Sequence, residues 1–238
     1  MSKENKECQN FITKDFADSL FENGDIGVDY LEIGIDSIVE NELIKTIPVA
    51  KTICAIIKVS TAFHEKNLLR QTLIFLQEFN ARRIDAKKLE KYKDKINSNS
   101  NAREKELGRV MLLLHRYIDD EKSKILARFF HAYVNEEISW GKFSELSDAL
   151  DRLFMADINW LLELFKDNDV AKPQRYQYER LNALGLTDTQ YVEMLASHIG
   201  WKTIDNSEDR KVEELEQPNK KLSTFGNEFC RFAFSCSK

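Results

Sequence analysis

Residues 44–66 read IKTIPVAKTICAIIKVSTAFHEK, and the reading of this run decides the fold. From Ile47 to Phe63 it holds 17 residues, about 25 Å of helix at ~1.5 Å per residue. A helix that spans a bilayer needs about 20 predominantly apolar residues, and a lysine at its centre costs about 2.5–3.5 kcal/mol. This run carries two, Lys51 and Lys58, seven apart, with Glu65 seven further on. Seven residues are close to two helical turns, so the three charges share one narrow face. Ile53, Cys54, Ala55, Ile56, Ile57 and Val59 cover most of the rest. Pro48 suits the first turn, where its missing N–H is harmless. The pattern predicts a central core helix with one edge at the surface. A helix lying in a membrane interface usually presents a wider basic face.

Outward from that run the chain is helical in character. Its 238 residues include only 8 Gly and 3 Pro, so tight turns are few, and 32% charged residues among abundant Leu, Ile and Ala favour long helices over a strand-rich fold. In 66–80, Leu68, Leu69, Leu73, Leu76 and Phe79 keep the period of an amphipathic helix. NSNSN at 97–101 reads as a polar loop. Leu107, Val110, Met111, Leu114, Tyr117 and Ile118 form a second stripe, and Asp119 or Asp120 can cap the helix that follows. A broad apolar face then runs from Phe143 through Leu146, Leu150, Leu153, Phe154, Ile158, Leu161 and Leu162 to Phe165.

Charge is unevenly distributed. Residues 1–46 hold four lysines against eleven acids, while 81–105 hold nine Lys or Arg against four acids. Each reads first as a solvated arm or helix face; the alternative is that the two segments attract each other. Arg82, Arg83, Lys87, Lys88 and Lys91 are the candidate interaction residues of the basic stretch. The net charge of −5 argues against bulk electrostatic binding to nucleic acid, which needs a concentrated basic surface.

Motifs for chemistry are sparse. His64, His115, His131 and His198 show no HExxH, no pairing at i, i+4 and no neighbouring CxxC, so no metal site is expected. His131 and Glu136 could form an acid–base pair, although a structural histidine is the expected reading. Asp119–Asp120–Glu121 reads as a helix start, and the carboxylates Asp148, Asp151 and Asp157 as ordinary products of a charged helical chain. There is no GxGxxG, GxxxxGK[ST] or GxSxG, so no catalytic residue, cofactor or nucleotide is assigned. Cys8, Cys54, Cys230 and Cys236 suggest no disulfide framework, and the polar start MSKENKECQN is unlike a signal peptide. A cytoplasmic protein is expected.

The C-terminal part carries the most specific pattern. RYQYERLNALGLTD should be a short helix stopped at Gly185, with apolar Leu186 following as in a Schellman motif. The polar stretch 205–221 reads as a loop. In the closing LSTFGNEFCRFAF, Ser223 or Thr224 can cap a last helix in which Phe225, Phe229 and Phe232 or Ala233 share a face. A helix end LxxLGL, a polar loop and then LSTFGNEF resembles the end of winged-helix domains. Leu181, Leu184, Gly185, Leu186, Leu222, Phe225, Gly226 and Phe229 would form one small structural core, with Gly226 at a close backbone approach. Together with the helical segments upstream, over roughly residues 44–235, these residues also resemble the abortive-infection alpha family of helical bacterial proteins. Departures are the degenerate middle and the acidic insertion 205–217.

The expected architecture is therefore mostly α: an acidic N-terminal arm over 1–30, a helical body over 31–168 and a winged-helix-like C-terminal module over 171–238. The resemblance implies a non-enzymatic component of bacterial phage defence or regulation that acts through protein partners, self-association included. Two alternatives stay open: a DNA-binding regulator using the C-terminal module, for which Lys172, Arg175, Arg180 and Lys202 are thinly spread, and a membrane-acting effector using residues 44–63. Nucleic acid would bind only weakly, and a membrane is disfavoured.

Overall fold

The run at 44–66 becomes two helices. The computed structural model describes residues 3–21, 41–42, 44–60, 63–166, 173–188 and 221–234. After a 3-10 turn at Ile44–Thr46, a helix covers Pro48–Ser60 (α2), and the next spans Phe63–Asn80 (α3). Glu65 thus belongs to a different helix from Lys51, and the seven-residue charge stripe is not continuous. Val49, Ala50, Ile53, Cys54 and Ile57 are buried, as a core helix requires, whereas Ile56 is half-buried and Ala55 exposed. Among the described residues no helix is long and apolar enough to cross a membrane.

The protein is mostly α. Among the described residues the other helices are α1 (Lys3–Phe21), α4 (Ala86–Ser98), α5 (Ser100–Arg116), α6 (Asp120–Val134), α7 (Trp140–Arg152), α8 (Met155–Lys166), α9 (Arg175–Ala183) and α10 (Thr224–Phe234). The chain divides into two compact units, residues 1–152 and 153–235. This boundary lies upstream of the expected one at 168–171. The reason is that α8 packs against α10 and is ion-paired to α9.

In the first unit, α1 corrects the expectation of an acidic arm over 1–30. Phe16, Ala17 and Leu20 are buried, with the Phe16 ring 5.7 Å from that of Phe75. The acids of α1 help to place it. Asp15 accepts a hydrogen bond from the Thr52 hydroxyl, and Ser19 Oγ accepts from the Val49 N–H at 3.0 Å. The latter satisfies one of the donors that a helix start leaves without an intrahelical partner. Residues 22–40 lie outside the described residues.

The pair α3 and α6 forms the centre of this unit, flanked by α2, α5 and α7. Leu69, Leu73, Leu76 and Phe79 are buried as their period predicts, and the Phe130 ring of α6 lies 5.8 Å from both Phe75 and Phe79. Three local expectations need correction. NSNSN is a helix junction rather than a loop: Asn99 alone leaves the helical conformation, ends α4, and caps α5 by accepting the Ala102 N–H at 3.0 Å. Ile118 is 82% exposed because α5 ends before it, and its carbonyl rather than its side chain turns inward, to Gln71. The apolar run from Phe143 to Phe165 breaks at Leu153–Phe154 into α7 and α8, which leaves Phe154 and Phe165 exposed.

Among the described residues the second unit holds α8, α9, α10 and one isolated antiparallel bridge, Thr187 with Leu222. Fully buried Asp157, in the first turn of α8, accepts the Phe154 N–H and a two-point ion pair from Arg180 at 2.7 Å for each contact. The C-terminus of α9 is the predicted Schellman stop. Gly185 has φ 70°, its N–H donates to Asn182 O, and the Leu186 N–H donates to Leu181 O. Ser223 caps α10 by accepting the Gly226 N–H at 2.8 Å, while its hydroxyl donates to Gly185 O.

Of the eight residues expected in a C-terminal core, five are buried, and Gly185, at the turn, is exposed. Leu181, Leu186, Leu222, Gly226 and Phe229 are buried, but Leu184 and Phe225 only partly so. Phe225 sits one position off the face that carries Gly226, Phe229, Cys230 and Ala233 inward. Burial pushes the Cys230 thiol up to about 12, which keeps it protonated and inert. Most of the polar stretch 205–221, and with it any wing, lies outside the described residues.

A Cβ at Gly226 would stand 1.9 Å from the Leu186 carbonyl oxygen. That neighbour is backbone held by the Schellman turn, so it cannot swing aside. Gly226→Ala should destabilise the protein by about 3 kcal/mol, the upper end of ordinary overpacking costs. Urea unfolding of the variant and wild type measures this directly.

Candidate functional site

The outer face of α5 is the place to look for function. Asn101, Glu104, Lys105, Gly108, Leu112 and His115 recur at helical spacing on one side of it, while Leu107, Val110 and Leu114 face the core. Together with Ile12 and Thr13 of α1 and Leu68 of α3, the outer face lines an open groove of about 750 Å³. Large apolar side chains are exposed here: the lining residue Leu112 is 68% exposed, and Phe11, next to Ile12 in the chain, is 64% exposed.

Each wall has an identifiable anchor. Two ion pairs hold α5 to α7, Arg109 with Asp148 at 2.6 Å and Arg116 with Asp151 at 2.8 Å. They lie two turns apart on α5 and three residues apart on α7, so together they fix the rotation of the helix. On α3, Asn67 Nδ2 donates to Tyr117 O at 2.7 Å, which fixes the height of Leu68 against the end of α5.

Gly108 is the unusual residue of the groove. It sits in the middle of α5, where glycine is unfavourable by about 1 kcal/mol relative to alanine. A Cβ placed there would meet nothing within 4 Å. No packing demand among the described residues calls for glycine, and what it provides is a bare stretch of helix backbone at the floor of an open groove.

The basic stretch that stood out in sequence is largely engaged inside the fold. Arg82 pairs with Glu78 at 3.1 Å, and Arg128 reaches the same carboxylate at 2.8 Å. Lys88 Nζ donates to Asn135 O and Lys91 pairs with Glu136. Arg83 and Lys87 have exposed side chains, and the Lys87 and Lys88 N–H groups are capped by Asp85. Further along, Lys95 and the Tyr133 hydroxyl both contact buried Glu106, joining α4, α5 and α6. Burial pulls the Lys95 ammonium down, but its bonds to Glu106 and Tyr133 outweigh this and leave it raised.

The suggested His131–Glu136 pair is not formed. His131 Nε2 lies 3.1 Å from the Arg83 carbonyl, and Glu136 goes to Lys91. Among the described residues no group of three or more His, Cys, Asp or Glu could hold a metal ion. Among the described residues the groove lining combines apolar Ile12, Leu68, Met111 and Leu112 with charged Glu104, Lys105 and Arg109.

Sequence reasoning missed Phe11, Ile12, Gly108 and Leu112. Two signals were present: a glycine inside a helical pattern, and a leucine off the stripe of Leu107, Val110, Met111 and Leu114. Comparison with protein-family models, curated proteins and solved structures finds no match to this chain.

Two measurements test this geometry. Gly108→Ala should stabilise the isolated protein by about 0.5–1 kcal/mol, read as a higher urea midpoint at unchanged slope. The second concerns pH. Burial holds the His131 imidazole below its usual range; Arg82 acts in the same sense, while the Arg83 carbonyl and Glu137 oppose it. With the folded value below the unfolded one near ~6.5, the unfolded chain binds its proton first as pH falls. His131 therefore costs nothing above that pH and lowers stability progressively below it, down to the folded value. His131→Gln should flatten the acid side of the stability profile, measured by urea unfolding between about pH 7.5 and pH 5.

Proposed function

We propose that the protein is a non-enzymatic helical receptor that binds a partner protein in the groove of α1, α3 and α5. The observation that carries this is an open groove whose lining includes the exposed Leu112, with exposed Phe11 next in the chain to lining residue Ile12. Large exposed apolar patches mark interaction surfaces. A small-molecule site would bury most of its ligand, whereas apolar side chains outside the cavity favour a broad partner. The bare backbone at Gly108 suits close approach by a helix of that partner. The resemblance to abortive-infection alpha proteins supports placing the interaction in bacterial phage defence. The DNA-binding alternative gains nothing from the basic stretch, since Arg82, Lys88 and Lys91 are engaged within the fold. The membrane alternative loses the apolar face of α2 to the core.

Leu112→Asp is the direct test, because an exposed leucine can be replaced without disturbing the core. The variant should melt with wild type, lose the wild-type reduction in phage plaques, and release the partner that wild type retains from the same cells. Plaque protection equal to wild type in a folded Leu112→Asp would remove the groove from the mechanism. Absence of protection by wild type against a broad phage panel would remove the defence role.

A further inference from the structure

His64 and His115 stand 51 residues apart in the chain, and no ligand spacing links them in sequence. The fold brings them together. His64 occupies the first turn of α3 and His115 the last turn of α5. Asn67, one turn after His64, donates to Tyr117 O, and Gln71, a turn later, donates to Ile118 O at 3.1 Å. These bonds set the start of α3 against the end of α5. The two imidazoles consequently lie side by side, with ring centroids 6.2 Å apart and planes inclined by 36°. Both side chains are exposed, and neither has a hydrogen-bond or ion-pair partner among the described residues. Two of the chain's four histidines are thus free neighbours on adjacent helices, one of them lining the groove.

We propose that His64 and His115 form a two-imidazole site for a divalent transition-metal ion. Neutral imidazole suits Zn²⁺, Ni²⁺ and Cu²⁺ and discriminates against Mg²⁺ and Ca²⁺, which prefer oxygen ligands. Metal–nitrogen bonds of about 2.0–2.1 Å place two rings that share one ion in adjacent positions roughly 4.5–5 Å apart, centroid to centroid. From the observed 6.2 Å the rings must close by roughly 1–2 Å, a movement open to two exposed side chains. Two protein ligands leave the remaining positions to water or to an incoming donor, so the site is exchangeable rather than a closed structural centre. Bound metal would tie the first turn of α3 to the last turn of α5 and stiffen one end of the groove. This inference stands independently of what the groove binds.

Calorimetric titration of the full chain with Ni²⁺, and Cu²⁺ electron paramagnetic resonance, test the proposal. Wild type should bind one equivalent of Ni²⁺ with a matching rise in melting temperature, and Cu²⁺ should show hyperfine coupling to two imidazole nitrogens. His64→Gln and His115→Gln should each weaken binding by about tenfold or more, since even losing a ligand's supporting hydrogen bond costs 10–100-fold. Each variant should leave a single nitrogen coupling, while His131→Gln should behave as wild type. Both substituted positions are exposed, so circular dichroism should show the wild-type fold. Absence of saturable binding by wild type would overturn the assignment. So would undiminished affinity in His64→Gln and His115→Gln, which would place the metal on the cysteines or elsewhere.

Discussion

The side-chain amide of Gln71 is fully buried between α3 and α6, and it ties α3 to the turn after α5 and to the start of α6. Its nitrogen donates to the Ile118 carbonyl and to Asp120, and its oxygen accepts from the Ser123 hydroxyl at 2.6 Å. Arg70, the preceding residue, grips the same Asp120 carboxylate through two nitrogens, at 3.1 and 2.7 Å. A buried amide left without partners costs several kcal/mol, so this arrangement is tolerated in one register only. The apolar contacts around it, Phe75 and Phe79 against Phe130, are stronger in sum but non-directional and could be made with the helices shifted. The polar set supplies the register: once Gln71 is satisfied, the end of α5, the turn at 117–119 and the start of α6 are fixed. The height of Leu68 in the groove and the approach of His64 to His115 follow from that.

Electrostatics plays a secondary part, and magnitudes show why. The pairs Arg82–Glu78, Lys91–Glu136 and Arg109–Asp148 are partly exposed, where an ion pair contributes about 0–1 kcal/mol. Their value is geometric, holding α4 near the turn after α6 and α5 on α7. Glu106 is a different case at 5% exposure, because removing Lys95 would strand a nearly buried carboxylate. The alternative of attraction between the acidic 1–46 segment and the basic 81–105 segment is not what the described ion pairs use. The basic residues find Glu78, Glu106 and Glu136 instead, while Asp15 serves α2.

What could be read from sequence depended on the range of the physics involved. The stop at Gly185, the cap at Ser223 and the tight approach at Gly226 are set by backbone rules over a few residues, and LxxLGL and LSTFG state them locally. The stripes of α3 and α5 were legible because helical period is also local. Misreadings arose where tertiary packing decides. Polar NSNSN looks like a loop, yet a single asparagine can end one helix and start the next when both have a core to bury against. The acids of α1 look solvated, although Phe16, Ala17 and Leu20 beneath them carry the helix inward. The groove was illegible because its walls come from three separated helices, and His64 beside His115 because only the Gln71 register makes them neighbours.

Two glycines show how the same residue can mean opposite things. At Gly226 the chain itself requires the missing side chain, since the Leu186 carbonyl fills the space where a Cβ would stand. At Gly108 a Cβ would meet nothing within 4 Å, and the helix carries the usual entropic penalty of glycine with no compensating contact among the described residues. The other residues of α5 agree with a helix held by Leu107, Val110 and Leu114 on one side and by Arg109 and Arg116 on another. Folding alone therefore accounts for the inner and lateral faces of α5 but leaves its outer face unexplained. That face joins the bare backbone of Gly108, the exposed side chain of Leu112 and the free imidazole of His115 along two turns. Close approach at Gly108 beside the exposed Leu112 is the feature of this face on which the proposed recognition of a partner helix rests.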